Sequence, residues 1–249
     1  MHSNRNNMAA KIPVILCDKS TWPAFYFFNP NDWSGKSKLI INSCAANYGF
    51  LVYGMTKIDS IFSGANSLCQ LRFNDFKAQW KASKWDISSC IYLVDIPEAH
   101  LSIHAFLSTV KTFLDIFVQL IHSEGVVHDE IYGFHKKGDN VGAKIMRILS
   151  NNAQKQKKHV AMRIHDLICD HKKVWIDDVV NARDSFIHPE RGLTKVMFRL
   201  DIYEADGELT LGRILKPSIN DEDFDIYARN TLSRLKEFSV KCIQYLKSA

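Results

Sequence analysis

A proline followed by nine apolar residues at helical spacing is the feature that most limits what this chain can become. Pro97 stands where a helix starts, with Asp95 just upstream as a candidate cap and Glu98 in the first turn. Ile103, Phe106, Leu107, Val110, Phe113, Leu114, Phe117, Leu120 and Ile121 then form a dense stripe that runs to Gly125. A second seam precedes it. Ile41, Cys44, Tyr48, Leu51, Met55, Ile58 and Phe62 are spaced alternately three and four apart. Gly49 and Gly54 lie inside that seam and argue against one unbroken helix. Residues 66–96 read as mixed: Phe73, Phe76 and Trp80 suggest a helix turn or two, and 90–96 suits either strand or helix.

Beyond the loop at 125–140, a helical region is expected from about 141 to 186, with a break in its polar middle at 151–158. After Pro189 and Gly192 the period switches to two. Val196, Phe198, Leu200 and Ile202 alternate with polar or longer neighbours, Asp206-Gly207 supplies a hairpin turn, and Leu209 and Leu211 continue on the return strand. A final helix is expected from about Asp221, capped by Asn220, through Tyr227, Leu235, Phe238, Cys242 and Leu246. The expected fold is mainly α, a helical bundle with one β-hairpin inserted before the final helix. Residues 1–35 read as an irregular N-terminal arm and 36–249 as a single helical domain. The aromatics of the arm, Trp22, Phe25, Tyr26, Phe27, Phe28 and Trp33, have no basic residue among them and are expected to pack on the core rather than stack on bases.

The composition suits such a bundle. The 249 residues are 46% hydrophobic and 24% charged, which argues against wholesale disorder and collagen-like or disulfide-scaffold folds. A chain of this length buries roughly 70% of its unfolded surface and needs neither metal nor disulfide to hold a core. Cys17, Cys44, Cys69, Cys90, Cys169 and Cys242 are scattered with no C-x-x-C pair. No signal-like N-terminus and no run of about 20 apolar residues is evident, so a cytoplasmic protein with reduced thiols and no membrane partner is expected.

Familiar chemical motifs are absent: there is no Gly-rich phosphate loop, no G-x-S-x-G and no H-E-x-x-H. His100 and His104 share a helix face but lack a third ligand, and His165, Cys169 and His171 read as an exposed face with an incidental cysteine. No metal site and no cofactor are expected. The informative stretch is 179–189, V-V-N-A-R-D-S-F-I-H-P. Positions four apart differ by about 40° round a helix, so Asp184 and His188 share a face, whereas Arg183 and His188 differ by about 140°. Pro189 disfavours the α conformation at His188, so the helix should unwind there and free the imidazole to turn towards the guanidinium, with Asp184 holding it. A plainer reading fits the same spacing: Arg183 an ordinary ion-pairing residue, Asp184 and His188 a local pair, and His188-Pro189 a helix stop.

R-x4-H with a polar residue directly after the Arg, near a helix end, resembles the signature of HEPN (higher eukaryotes and prokaryotes nucleotide-binding) domains. The resemblance rests on Arg183, Asp184 and His188 and a helical setting over about 97–249. It implies an α-helical bundle and, as in many members, a metal-independent ribonuclease of a toxin–antitoxin or antiviral-defence system. It also implies a homodimer whose two motifs form one composite site, with an antitoxin or sensor protein as a further partner. Some members carry a Tyr two residues after the His; here that position is Glu190, so neutralisation by tyrosine modification is not expected. A catalytically inactive module of the same fold, binding nucleotides or serving assembly, is the alternative.

Such residues suit RNA chemistry. The substrate supplies its own nucleophile, the 2′-hydroxyl, and cleavage needs a base for that proton and an acid for the leaving 5′-oxygen. An imidazole, titrating near 6.5, serves as either. A guanidinium is always charged, and its fork matches two phosphate oxygens. The expected products are a 2′,3′-cyclic phosphate and a 5′-hydroxyl.

Charge placement points the same way. The net charge of +5 conceals a block at 141–174 with eight basic residues against Asp166 and Asp170, and a block at 201–226 with eight acidic residues against Arg213 and Lys216. Lys155, Lys157, Lys158 and Arg163, in the basic block, are the candidate RNA contacts. A solvated helix face would carry the same residues.

Overall fold

A computed structural model describes residues 28–83, 86–137, 140–187 and 197–248. The elements in chain order are α1 (Gly35–Ser83), β1 (Ser89–Val94), α2 (Pro97–Phe117), α3 (Gln119–Ser123), the short strands β2 (Lys136–Lys137) and β3 (Asn140–Val141), α4 (Ala143–Asn151), α5 (Lys158–His171), α6 (Asp177–Ile187), β4 (Phe198–Ala205), β5 (Glu208–Leu215), the short strands β6 (Ser218–Ile219) and β7 (Glu222–Asp223), and α7 (Phe224–Lys247). The fold is mainly helical, with a β-hairpin inserted before the last helix.

The first seam builds α1, a continuous helix of 49 residues. Gly49 and Gly54 do not interrupt it. A glycine costs a helix about 1 kcal/mol, and burying side chains such as Ile41, Leu51 and Ile58 returns about 1.5–3 kcal/mol each; all three are buried. Pro97 occupies the first turn of α2 as its sequence indicates, but Asp95 is not the cap. Ile96 holds that position without a side-chain bond, and its carbonyl accepts from the Ala99 and His100 amides. Pro97–Ser123 is long and apolar enough to cross a membrane by length and composition. Its Ile103, Leu107, Val110, Phe113, Leu114 and Phe117 are fully buried in the core. That is the pattern of a central core helix.

Rings dominate that core. Phe113 and Phe117 stack at 5.7 Å, Phe28 meets Phe113 at 5.8 Å, and Phe238 of α7 meets Phe117 at 5.8 Å. Of the N-terminal aromatics, Phe28 is buried and Trp33 packs against the core, while Trp22, Phe25, Tyr26 and Phe27 lie outside the described residues.

Beyond α3 the backbone at Gly133 and Phe134 packs against Asp115 of α2. Gly133 has φ +139°, and a Cβ there would lie 2.3 Å from Asp115 Oδ1, the atom that accepts from the Phe134 amide at 2.8 Å. Only glycine allows the Asp115 carboxylate to approach the backbone this closely.

β1, β4 and β5 form an antiparallel sheet in the order β1-β4-β5. On β4 the expected alternation holds for Phe198, Leu200 and Ile202, which face the core, while Val196 lies outside the described residues; Asp206 and Gly207 take positive φ in the turn to β5. Residues 90–96, which suited either strand or helix, resolve largely into β1. The last helix begins at Phe224 rather than near Asp221. Asn220 and Asp221 have φ +50° and +63° and form the turn between β6 and β7, a role Asx side chains fill readily.

Glu208 anchors the hairpin to α1, accepting from Lys77 at 2.8 Å and Lys81 at 2.7 Å. These two ammonium groups hold its carboxyl down at about 2. A depressed carboxylate contributes its stability above the ordinary value of 4.5, and the contribution is lost as pH falls through about 2. Carboxyl titration by NMR should place Glu208 near 2 in the wild type and near its ordinary value when Lys77 and Lys81 are both replaced by Met.

Candidate functional site

The motif sits on a continuous helical run over 158–187. The turn widens to π geometry at Lys172–Ile176. There the buried Trp175 donates from Nε1 to His171 Nδ1 at 2.9 Å, and His171 also meets Phe238 edge-on at 5.4 Å. Burial lowers the His171 pKa below the ordinary imidazole value, with opposing contributions from neighbouring charges. Past this turn, Val179 and Val180 are buried and fix the face that α6 presents to the core.

Arg183 lies four residues after Val179 and three after Val180, so its stem follows the same side of the helix. Its side chain is 36% exposed, and Nη1 donates to Asp184 Oδ1 at 3.2 Å. The Nε of the same guanidinium is buried and has no hydrogen-bond partner among the described residues. A buried donor without an acceptor costs about 1–3 kcal/mol, and an oxygen of a bound anion would satisfy it. Asp184 thus touches Arg183. His188, its expected partner, lies outside the described residues, as do Pro189 and Glu190.

The candidate RNA contacts stand elsewhere. Lys155 is exposed in a single 3-10 turn, Lys158 is exposed at the start of α5, and Lys157 donates to the Glu124 carbonyl at 2.8 Å, closing the end of α3. Arg163 lies over the Tyr245 ring at 3.9 Å and ties α5 to α7. At 1.5 Å per residue, Lys158 is up to about 37 Å along the helical run from Arg183. The structure brings Arg183 and Asp184 together and leaves Lys158 at the far end of that run, with Lys155 and Lys157 in the 3-10 turn before it.

His165 Nδ1 meets Asp166 at 3.1 Å and Cys169 Sγ at 4.0 Å, while His171 is engaged by Trp175. Among the described residues no group of three His, Cys, Asp or Glu side chains is placed to hold a metal ion. Cys44, Cys69, Cys90, Cys169 and Cys242 are free thiols, and burial pushes Cys242 up to about 12. Tyr227, expected on the apolar stripe of the final helix, makes a buried polar spot on α7. Tyr227, 4% exposed, has its pKa raised by burial and by the Asp178 carboxylate of α6. The helical spacing places the ring inward; the approach of Asp178 from α6 is what the sequence did not show.

No protein-family model, curated protein or solved structure matches the chain.

Proposed function

We propose that this chain is a HEPN-type, metal-independent endoribonuclease of the toxin or antiviral-defence class, acting in the cytoplasm as a homodimer. The observation that carries the reading is the Arg183 guanidinium: partly exposed, fixed by Asp184, and holding a buried Nε–H with no acceptor among the described residues. A phosphate oxygen is the acceptor such a group fits. In this reading Arg183 binds the scissile phosphate and stabilises the charge that grows on its oxygens. His188 moves the proton of the 2′-hydroxyl or delivers one to the leaving 5′-oxygen. The 2′-oxygen forms its bond to phosphorus as the bond to the 5′-oxygen breaks. One Arg–His pair does not readily supply both base and acid, so a second copy of the motif from the other protomer completes the site. Asp184 positions the Arg–His pair, and Lys155, Lys157, Lys158 and Arg163 attract the RNA backbone.

A second reading, a catalytically silent module of the same fold, is favoured by one observation. The exposed lysines at the start of the helical run are far from Arg183, as expected if they bind a nucleotide or partner on their own account. The two readings separate in a gel assay of RNA cleavage in EDTA. Wild-type protein should cleave, and His188→Ala should not. Equal cleavage by both would remove His188 from the chemistry, and no cleavage by either would overturn the ribonuclease reading.

A further inference from the structure

The two edges of the sheet are treated differently. β5 carries Glu208, ion-paired to Lys77 and Lys81 of α1, and Arg213, ion-paired to Asp201 across a register shift in the β4–β5 ladder. Charges and bulges of this kind keep an edge from pairing with another strand. β1, with β4 its one strand neighbour among the described residues, reads Ser-Cys-Ile-Tyr-Leu-Val and has no charge, proline or glycine.

The ladder fixes which groups point outward. The Glu204 amide donates to the Ser88 carbonyl at 3.1 Å, so residues 88 and 204 are a hydrogen-bonded pair. Such pairs alternate in an antiparallel ladder, so Cys90, Tyr92 and Val94 bond to β4 while Ser89, Ile91 and Leu93 turn their N–H and C=O groups to the edge away from β4, which has no strand partner among the described residues. Ile91 is 64% exposed and Leu93 40%, and they lie on the sheet face away from the core beside Tyr203 at 43%. A surface depression of about 380 Å³ adjoins the start of the strand, lined by Ser89, Cys90, Ile91, Asp201, Ile202 and Tyr203.

We propose that β1 is a homodimer interface in which the β1 strands of two copies pair antiparallel across a twofold axis at Ile91, joining the sheets into one of six strands. Three features select a second copy as the occupant. With no charge on the strand, the axis brings no like charges together. Pairing Ile91 with its symmetry mate satisfies the outward backbone groups of both strands and keeps the two outer faces on the same side. It also sets Leu93 of each copy opposite Ser89 of the other, next to the depression, so a large side chain meets a small one. An interface of one strand pair is at the small end of specific interfaces, so the dimer dissociates on dilution. The inference needs neither Arg183 nor His188, but the composite ribonuclease site also needs a dimer, so the two separate at position 91: protein that cleaves RNA yet fails to cross-link there overturns the β1 interface alone.

Sedimentation velocity of the full chain over a dilution series tests it. Wild type should show a monomer–dimer equilibrium, and Ile91→Lys should associate at least about tenfold more weakly, because its ammonium faces its own mate across the axis; Leu93→Lys should also weaken association, by replacing the apolar contact opposite Ser89 with a charge. Both side chains are exposed in the single chain, so the melting temperature should not move at concentrations where the wild type is monomeric. A second measurement does not depend on those variants. Antiparallel hydrogen-bonded positions have Cα atoms about 5.5 Å apart, within disulfide reach. Oxidising the Cys90→Ser/Ile91→Cys double variant should therefore give a covalent dimer linked through position 91. A wild type that stays monomeric throughout, lysine variants that associate as well as wild type, or failure of position 91 to cross-link would each overturn the proposal.

Discussion

Arg183→Ala is expected to slow RNA cleavage by about a hundred- to a thousandfold, the usual loss when one preorganised donor to a developing oxyanion is removed. The fold should hardly notice. The Arg183–Asp184 pair is about a third exposed on each side, and ion pairs of that kind contribute only about 0–1 kcal/mol. Removing the guanidinium also removes a buried Nε–H that has no acceptor among the described residues, so the melting temperature should stay level or rise slightly. Arg183→Lys should recover little, because an ammonium is a point charge and does not reproduce the planar fork. Single-turnover cleavage measured beside thermal unfolding decides the matter. A large rate loss with an unchanged melting temperature is the signature of a group acting on substrate. An unchanged rate with a slightly lower melting temperature belongs to an ordinary helix ion pair.

Phe117→Ala is expected to have the largest effect on stability. The ring is fully buried between Phe113, Phe28 and Phe238, with centroids 5.7, 6.4 and 5.8 Å away. It therefore joins α2 to α7 and to the segment before α1. Truncating such a ring costs about 3–5 kcal/mol, from lost transfer free energy and the cavity left behind. For a chain of this size that corresponds to a melting temperature lower by about 6–20 °C. Denaturant unfolding should show the midpoint falling with little change in slope. A loss below about 1 kcal/mol would mean that neighbouring rings collapse into the space, contrary to the packing described.

How far each element can be read from sequence depends on whether its signal is local. The seams at Ile41 to Phe62 and Ile103 to Ile121 repeat over several turns, and both form helix. Phe198, Leu200 and Ile202 before Asp206-Gly207 announce a hairpin because strand and turn are neighbours in sequence. β1 is different. Its run of apolar residues has no alternation, and the strand that decides its state, β4, lies more than a hundred residues further on. The start of α7 was misplaced because Asn and Asp favour both helix caps and left-handed turns, and here Asn220 and Asp221 make the turn. At the site, the contact between Arg183 and Asp184 follows from adjacency. The separation of Lys158 from Arg183 does not, because a charge block counted along the sequence carries no length until the intervening residues are known to be one helix.

The central claim, RNA cleavage through Arg183 and His188 without metal, is tested most directly by the ends of the fragments produced in EDTA. Attack by the 2′-hydroxyl leaves a 2′,3′-cyclic phosphate on the upstream fragment and a 5′-hydroxyl on the downstream one, and these are the ends expected from wild-type protein. Fragments ending in a 3′-hydroxyl and a 5′-phosphate, or cleavage that appears only when a divalent cation is restored, would contradict it.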